Sequence, residues 1–202
     1  MIKKIWPYQL PNMDPETLAK LVFCFENDPE RSDGIISGAQ DSIGICIPGL
    51  CRHYYNNRFW PEKIETCEDE DILRWLESHL IMIPMEPRRP GCSVVEGKDI
   101  TEPKVKALAK AADDCWSAII NKDLQAFGQA YKASFNAQTA MFPKMIQGCV
   151  QDYIDKYQGQ VLAWKMPGAG GGGYLACVVT DADQFCQRNK EAIRLTIRRS
   201  GM

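Results

Sequence analysis

Five glycines in six residues, Gly168-Ala169-Gly170-Gly171-Gly172-Gly173, stand between two apolar segments of this chain. Val161-Leu162-Ala163-Trp164-Lys165-Met166 precedes them, and Tyr174-Leu175-Ala176-Cys177-Val178-Val179 follows. A flexible linker is the plain alternative, because glycine-rich tracts behave as coils. A linker between two buried strands of one domain, however, has no distance to span. Glycine is required where the backbone takes positive φ or comes close to another chain or a ligand. Successive peptide N–H groups without side chains also form concavities that bind anions. The run therefore reads as a tight functional loop joining two core strands.

The rest of the composition frames that loop without naming a partner. With 202 residues, 45% hydrophobic and 25% charged, the chain is in the ordinary globular range and long enough to fold without staples. A net charge of -2 gives no electrostatic case for nucleic acid or an anionic membrane. No stretch approaches the roughly 18 apolar residues of a membrane span. The segment Met1-Ile2-Lys3-Lys4-Ile5-Trp6-Pro7 has no apolar run behind its lysines and does not read as a secretory signal. The nine cysteines form no Cys-x-x-Cys pair, and two histidines are too few to share a zinc site with them. They read as reduced core thiols of a cytoplasmic protein, with no structural metal.

Asp14-Pro15 opens the first helix, an acceptor at the N-cap followed by proline at the first helical position, with Leu18, Leu21, Val22 and Phe25 at helical spacing. After the turn Ser37-Gly38-Ala39-Gln40-Asp41, the segments Ile43–Ile47, Leu50–Tyr55 and Phe59–Ile64 read as an antiparallel meander. A short helix over Glu68–Leu76 and a buried strand over His79–Met85 follow. From Thr101 the pattern is helical: one apolar stripe runs from Val105 to Ile119, a second from Leu124 to Gln138, and a third helix starts near Pro143. Strands are expected at Val161–Trp164, Tyr174–Val179 and Ile193–Ile197, with a helix capped by Thr180 and Asp183 between the last two. Strands and helices in this non-alternating order predict an α+β protein with an antiparallel sheet and packed helices.

Trp164-Lys165-Met166-Pro167-Gly168-Ala169-Gly170-Gly171-Gly172-Gly173-Tyr174-Leu175 resembles the third conserved motif of the GHMP superfamily of galacto-, homoserine, mevalonate and phosphomevalonate kinases. The form is nearest to that of heptose-phosphate and L-fucose kinases. Pro167 stands where the family often has serine or threonine. Gly38-Ala39-Gln40-Asp41 resembles the turn that carries the family's aspartate, which serves as base for the acceptor hydroxyl. Glu26 resembles the glutamate that holds Mg²⁺, with a longer spacer to Asp41 than the family pattern has. Ala109, Ala111-Ala112 and Trp116, then Phe127-Gly128 and Met141-Phe142-Pro143, resemble the helical part of the C-terminal domain in the same kinases.

The resemblance implies a ferredoxin-like C-terminal kinase domain over 86–202 and a remnant of the N-terminal catalytic lobe over 1–85. It implies an ATP-dependent sugar or sugar-phosphate kinase using ATP and Mg²⁺. Asp41 would be the catalytic base, Glu26 the metal ligand, and Gly168, Ala169, Gly170, Gly171, Gly172 and Gly173 the loop beside the nucleotide and acceptor. The family's other phosphate loop, Pro-x-x-x-Gly-x-Ser-Ser-Ser/Ala at a helix N-terminus, has no counterpart in these residues. That leaves a fragment, a shortened homologue complemented by an N-terminal kinase segment or by self-association, or a catalytically silent binding module.

Overall fold

A computed structural model describes residues 13–30, 36–88 and 93–201. The expectations for 1–12 and the cysteine at position 92 lie outside them. The chain divides into two compact units, one ending at Glu68 and joined again by the residues from Ile197, the other Asp69–Thr196. The boundary that the resemblance implies between 85 and 86 is not the division between these units. Each unit has its own core.

The first unit begins with α1, Pro15–Glu26. Asp14 caps it, its carboxylate accepting from the Thr17 amide at 2.9 Å and the Thr17 hydroxyl at 2.6 Å. Ala19 and Val22 turn inward against Ala39, Ile43 and Cys46 of the next segment. That segment corrects the sequence reading: Gln40–Cys46 is a helix, α2, and not the first strand of a meander. Runs of β-branched residues favour strands only through what they pack against. Here Ile43 and Cys46 are buried while Gly44 and Ile45 face solvent, a helical period rather than an alternation of two. The meander is therefore a two-stranded hairpin, β1 (Leu50–Tyr54) and β2 (Lys63–Cys67), with Leu50 opposite Cys67 and Tyr54 opposite Lys63. Its second strand starts later than Phe59 because Asn57, at φ 65°, belongs to the turn.

The second unit is a four-stranded antiparallel sheet in the order β4-β5-β3-β6. Its strands are β3 (Leu80–Pro84), β4 (Ala163–Lys165), β5 (Tyr174–Val178) and β6 (Ile193–Arg194). Helix α3 (Glu70–His79) leads into β3, capped by Asp69. The long helices α4 (Glu102–Ile120) and α5 (Leu124–Met141) form a hairpin whose second member is capped by Asp123. The third helix expected near Pro143 is split into a 3-10 turn, Pro143–Met145, and α6, Val150–Tyr157. Helix α7 (Ala182–Arg188) is capped by Asp181, whose carboxylate accepts from the Gln184 amide at 2.8 Å; Thr180 is one residue too early to reach it. Ile81, Ile83, Leu175, Cys177, Phe135, Ile154, Tyr157 and Phe185 belong to one core cluster.

All described cysteines are free thiols, but only Cys46 and Cys177 are buried and Cys24 is exposed, so the expected set of core thiols reduces to two. Burial pushes the Cys177 thiol up to about 12. No described helix is long and apolar enough to cross a membrane.

Where α6 meets the segment after α7, the Tyr157 hydroxyl and the Lys156 ammonium both donate to the Glu191 carboxylate. The Tyr157 hydrogen bond, a backbone hydrogen bond and Lys156 hold the Glu191 carboxyl down at about 2. Its folded value lies below its unfolded one. The stabilisation is therefore present above the ordinary range near 4.5 and is lost as pH falls toward 2. Urea midpoints of the parent chain should drop between pH 6 and pH 3, and Glu191→Gln should make that drop smaller.

Candidate functional site

The glycine run connects β4 to β5 at the edge of the second unit's sheet, where Trp164 pairs with Cys177 and Lys165 with Ala176. Far from being loose, much of it is packed on the backbone around it. A Cβ on Gly172 would lie 2.6 Å from the Glu86 carbonyl oxygen and 2.7 Å from the Arg88 amide nitrogen. No side chain fits there, and φ at this residue is +145°. At Gly170 the equivalent atom would meet the Met145 side chain at 3.0 Å. Gly170 and Gly171 are buried, whereas Pro167, Gly168 and Ala169 are exposed.

Hydrogen bonds divide the loop in the same way. Gly171 donates its amide to the Met145 carbonyl and Gly173 to the Glu86 carbonyl, each at 2.9 Å. The Gly173 carbonyl accepts from the Met85 amide at 2.8 Å, which carries the β3–β5 pairing past the end of both strands. Two of the amides expected to face a ligand are thus committed to the protein. Among the described residues the amides of Gly168, Ala169 and Gly170 have no backbone partner. The exposed part of the loop is therefore its incoming limb, Gly168 and Ala169. Arg88 is exposed and lies with its stem along the loop, its Cδ 3.2 Å from a Cβ position on Gly171. The sequence reading passed over this arginine, although a basic residue in a proline-rich loop is a usable signal when the loop lies beside a glycine run.

In the first unit, Glu26 is the last residue of α1 and Asp41 lies in the first turn of α2. Both are exposed. The two helices are joined by a side-chain staple: Asn27 Oδ1 accepts from the Ser37 amide at 2.7 Å, and Asn27 Nδ2 donates to the Phe23 carbonyl at 2.9 Å. Asp41 sits where an anion is favoured by the unpaired amides of a helix start. The buried Ser42 hydroxyl turns back onto the Ala39 carbonyl, and Asp41 is exposed beside Gln40 at this turn. No three His, Cys, Asp or Glu among the described residues gather into a metal site. Mg²⁺ is commonly held by one or two carboxylates, with phosphate and water supplying the remaining oxygens. This donor set fits a phosphate-borne Mg²⁺ and does not form a cage of its own.

Neither a family model nor a curated protein matches the sequence. Solved structures do. Lactococcus lactis galactokinase in complex with galactose aligns over 98% of this chain and 62% of its own, at TM-score 0.63 and 18% identity. A D-glycero-D-manno-heptose 1-phosphate kinase from Bacteroides thetaiotaomicron aligns over 94% of this chain and 53% of its own, at TM-score 0.59 and 14% identity. The Methanococcus jannaschii mevalonate kinase aligns over 96% and 60%, at TM-score 0.58 and 15% identity. The chain has the fold of part of a GHMP kinase. It spans 53 to 62% of the length of these three GHMP structures. The α+β fold, antiparallel pairing and packed helices expected from the sequence are those of the GHMP fold.

The packing makes a graded prediction for the glycines. Gly172→Ala should destabilise the second unit by about 3 kcal/mol or more, since backbone on both sides must move. Gly168→Ala, with positive φ but open space around it, should cost only about 1 kcal/mol. Urea unfolding of the two variants checks the order, and equal losses would show that the loop packs otherwise.

Proposed function

We propose that this chain is part of an ATP-dependent kinase acting on a sugar or sugar phosphate, of the GHMP type. The observation that carries this reading is the glycine loop. It is held rigidly on one side by Met145, Glu86 and Gly172's backbone contacts, and it presents free amides on the other. A preorganised row of N–H groups beside an arginine is suited to phosphate oxygens. The extent of the fold match, 94 to 98% of this chain, supports the same reading.

In this mechanism Mg²⁺-ATP supplies the phosphoryl group and part of the charge neutralisation. The chain's own residues do the rest. The Asp41 carboxylate accepts, or orients, the proton of the acceptor hydroxyl as the new O–P bond forms. Glu26 would be the residue that offers a carboxylate oxygen to Mg²⁺, which would supply charge neutralisation at the phosphates. Gly168, Ala169 and Gly170 donate amides to phosphate or acceptor oxygens, and Arg88 adds a bidentate donor. The 53 to 62% coverage of the matched structures makes a complementing kinase segment a proposed partner. A second reading is favoured by the Gly171 and Gly173 amides, which are already bonded to protein carbonyls: a catalytically silent module that keeps the loop for structure alone.

Calorimetric titration with Mg-ATP and a coupled assay over a panel of free sugars and sugar phosphates separate the two. On the kinase reading, Asp41→Asn lowers turnover about 100-fold or more while leaving Mg-ATP affinity unchanged, and Glu26→Gln raises the Mg²⁺ concentration needed. Equal turnover by Asp41→Asn and parent removes Asp41 from the mechanism. Absence of both Mg-ATP binding and turnover favours the silent module.

A further inference from the structure

Lys165 is the last residue of β4 and the last paired position before the glycine loop begins. Its ammonium donates to the Ser134 hydroxyl of α5 at 2.6 Å. Ser134 is 5% exposed and Lys165 half-buried, so the bond runs from the margin of the second unit into its core. Among the described residues Lys165 makes no ion pair. Burial pulls its amine below the ordinary lysine range, opposed by the neighbouring Cys115 thiol of α4. Cys115 is itself pushed up to about 11, chiefly by burial, and is neutral at physiological pH. A half-buried cation thus has a hydroxyl as its hydrogen-bond partner.

Such a group is poorly explained by stability. A desolvated ammonium is costly, and an apolar residue of similar volume in the same place is generally tolerated or stabilising. What the lysine does supply is a fixed distance. Helix α5 already lies close to this edge of the sheet: a Cβ on Gly128 would stand 3.2 Å from the Leu162 Cβ. The Trp164 ring meets Phe135 edge-on, 6.1 Å between centroids, and Lys132 lies 5.4 Å above it. Those contacts are apolar or exposed and supply no directional bond between the strand and the helix. The Lys165–Ser134 bond is directional, and it acts at the end of β4 from which the loop departs. The outgoing limb has its own fixings at Gly171 and Gly173; the incoming limb has the buried Met166 side chain and Lys165, and its exposed residues Gly168 and Ala169 have no backbone bond among the described residues.

We infer that Lys165 is a positioning residue which, by its hydrogen bond to Ser134, anchors β4 on α5 and so fixes the incoming limb of the glycine loop, whose amides receive a phosphate-bearing ligand. The last clause rests on the kinase reading above; the anchoring itself does not. The loss of the anchor frees the exposed limb without loosening the packed one.

The test uses the full chain and backbone ¹⁵N relaxation. In Lys165→Met, order parameters at Gly168 and Ala169 should fall from the rigid range of about 0.85 to below about 0.6. Those at Gly173 and Leu175 should hold, and the thermal midpoint should stay level or rise. Ser134→Ala should reproduce the loosening, and Lys165→Arg, which keeps a donor, should largely restore the parent values. Unchanged order parameters in the incoming limb of both Lys165→Met and Ser134→Ala overturn the inference. So does uniform loosening of both limbs with a lowered midpoint, the signature of a merely structural lysine. Should Lys165→Met fail to fold, Ser134→Ala decides alone. Mg-ATP affinity, measured in parallel, should weaken about 5-fold or more in Lys165→Met, following the cost of ordering a loop on binding. If the parent binds no Mg-ATP, the kinase reading falls while the order parameters still judge the anchor.

Discussion

The second unit depends on the antiparallel pairing of β3 with β5. Ile81 and Ile83 from one strand and Leu175 and Cys177 from the other are all fully buried. They occupy the middle of a sheet in which β4 and β6 are only outer members. The ladder continues beyond the strands through Met85 and Gly173, then Glu86 and Gly173. The glycine loop is in this sense an extension of the sheet's central pair. Its last residue is fixed by the same backbone hydrogen bonds that hold the core together, which is why a stretch so rich in glycine is not a flexible one.

This changes how the loop's composition is to be understood. Consecutive glycines lower the steric barrier to many conformations, and an unpacked run would lose considerable entropy on ordering. The Glu86 carbonyl, the Arg88 amide and the Met145 side chain occupy the space that side chains on Gly172 and Gly170 would need. Close approach of backbone to backbone explains the middle of the run. Only the first residues are left for a ligand to explain.

Much of this was legible in the sequence because it was encoded locally. Asp14 before Pro15, Asp123 before an apolar stripe, and the long amphipathic patterns of α4 and α5 each carry their signal within a turn or two of helix. The glycine run between two apolar segments gave the position of the loop for the same reason. The helix over Gln40–Cys46 was not legible, because Ile43, Ile45 and Ile47 suit a strand by local preference and only packing against Ala19 and Val22 decides otherwise. Arg88, Ser134 and Met145 were missed on similar grounds. They reach the loop from segments distant in sequence, so nothing within their own neighbourhoods marks them. As for the candidate residues, their chemical types could be read in advance, but the commitment of Gly171 and Gly173 to protein carbonyls could not.

The side-chain staple in the first unit bears on how such a chain tolerates change in length. Asn27 holds Ser37 through the Ser37 amide, so the chain leaves α1 and returns toward α2 across a bracket one side chain wide. The bond is made at the end of α1 and shortly before α2, so it ties the two helix ends together. Insertions or deletions there are topologically inert, and the closure entropy of a longer excursion grows only slowly with its length. A change of length between Asn27 and Ser37 then leaves the two ends where the Asn27 side chain ties them.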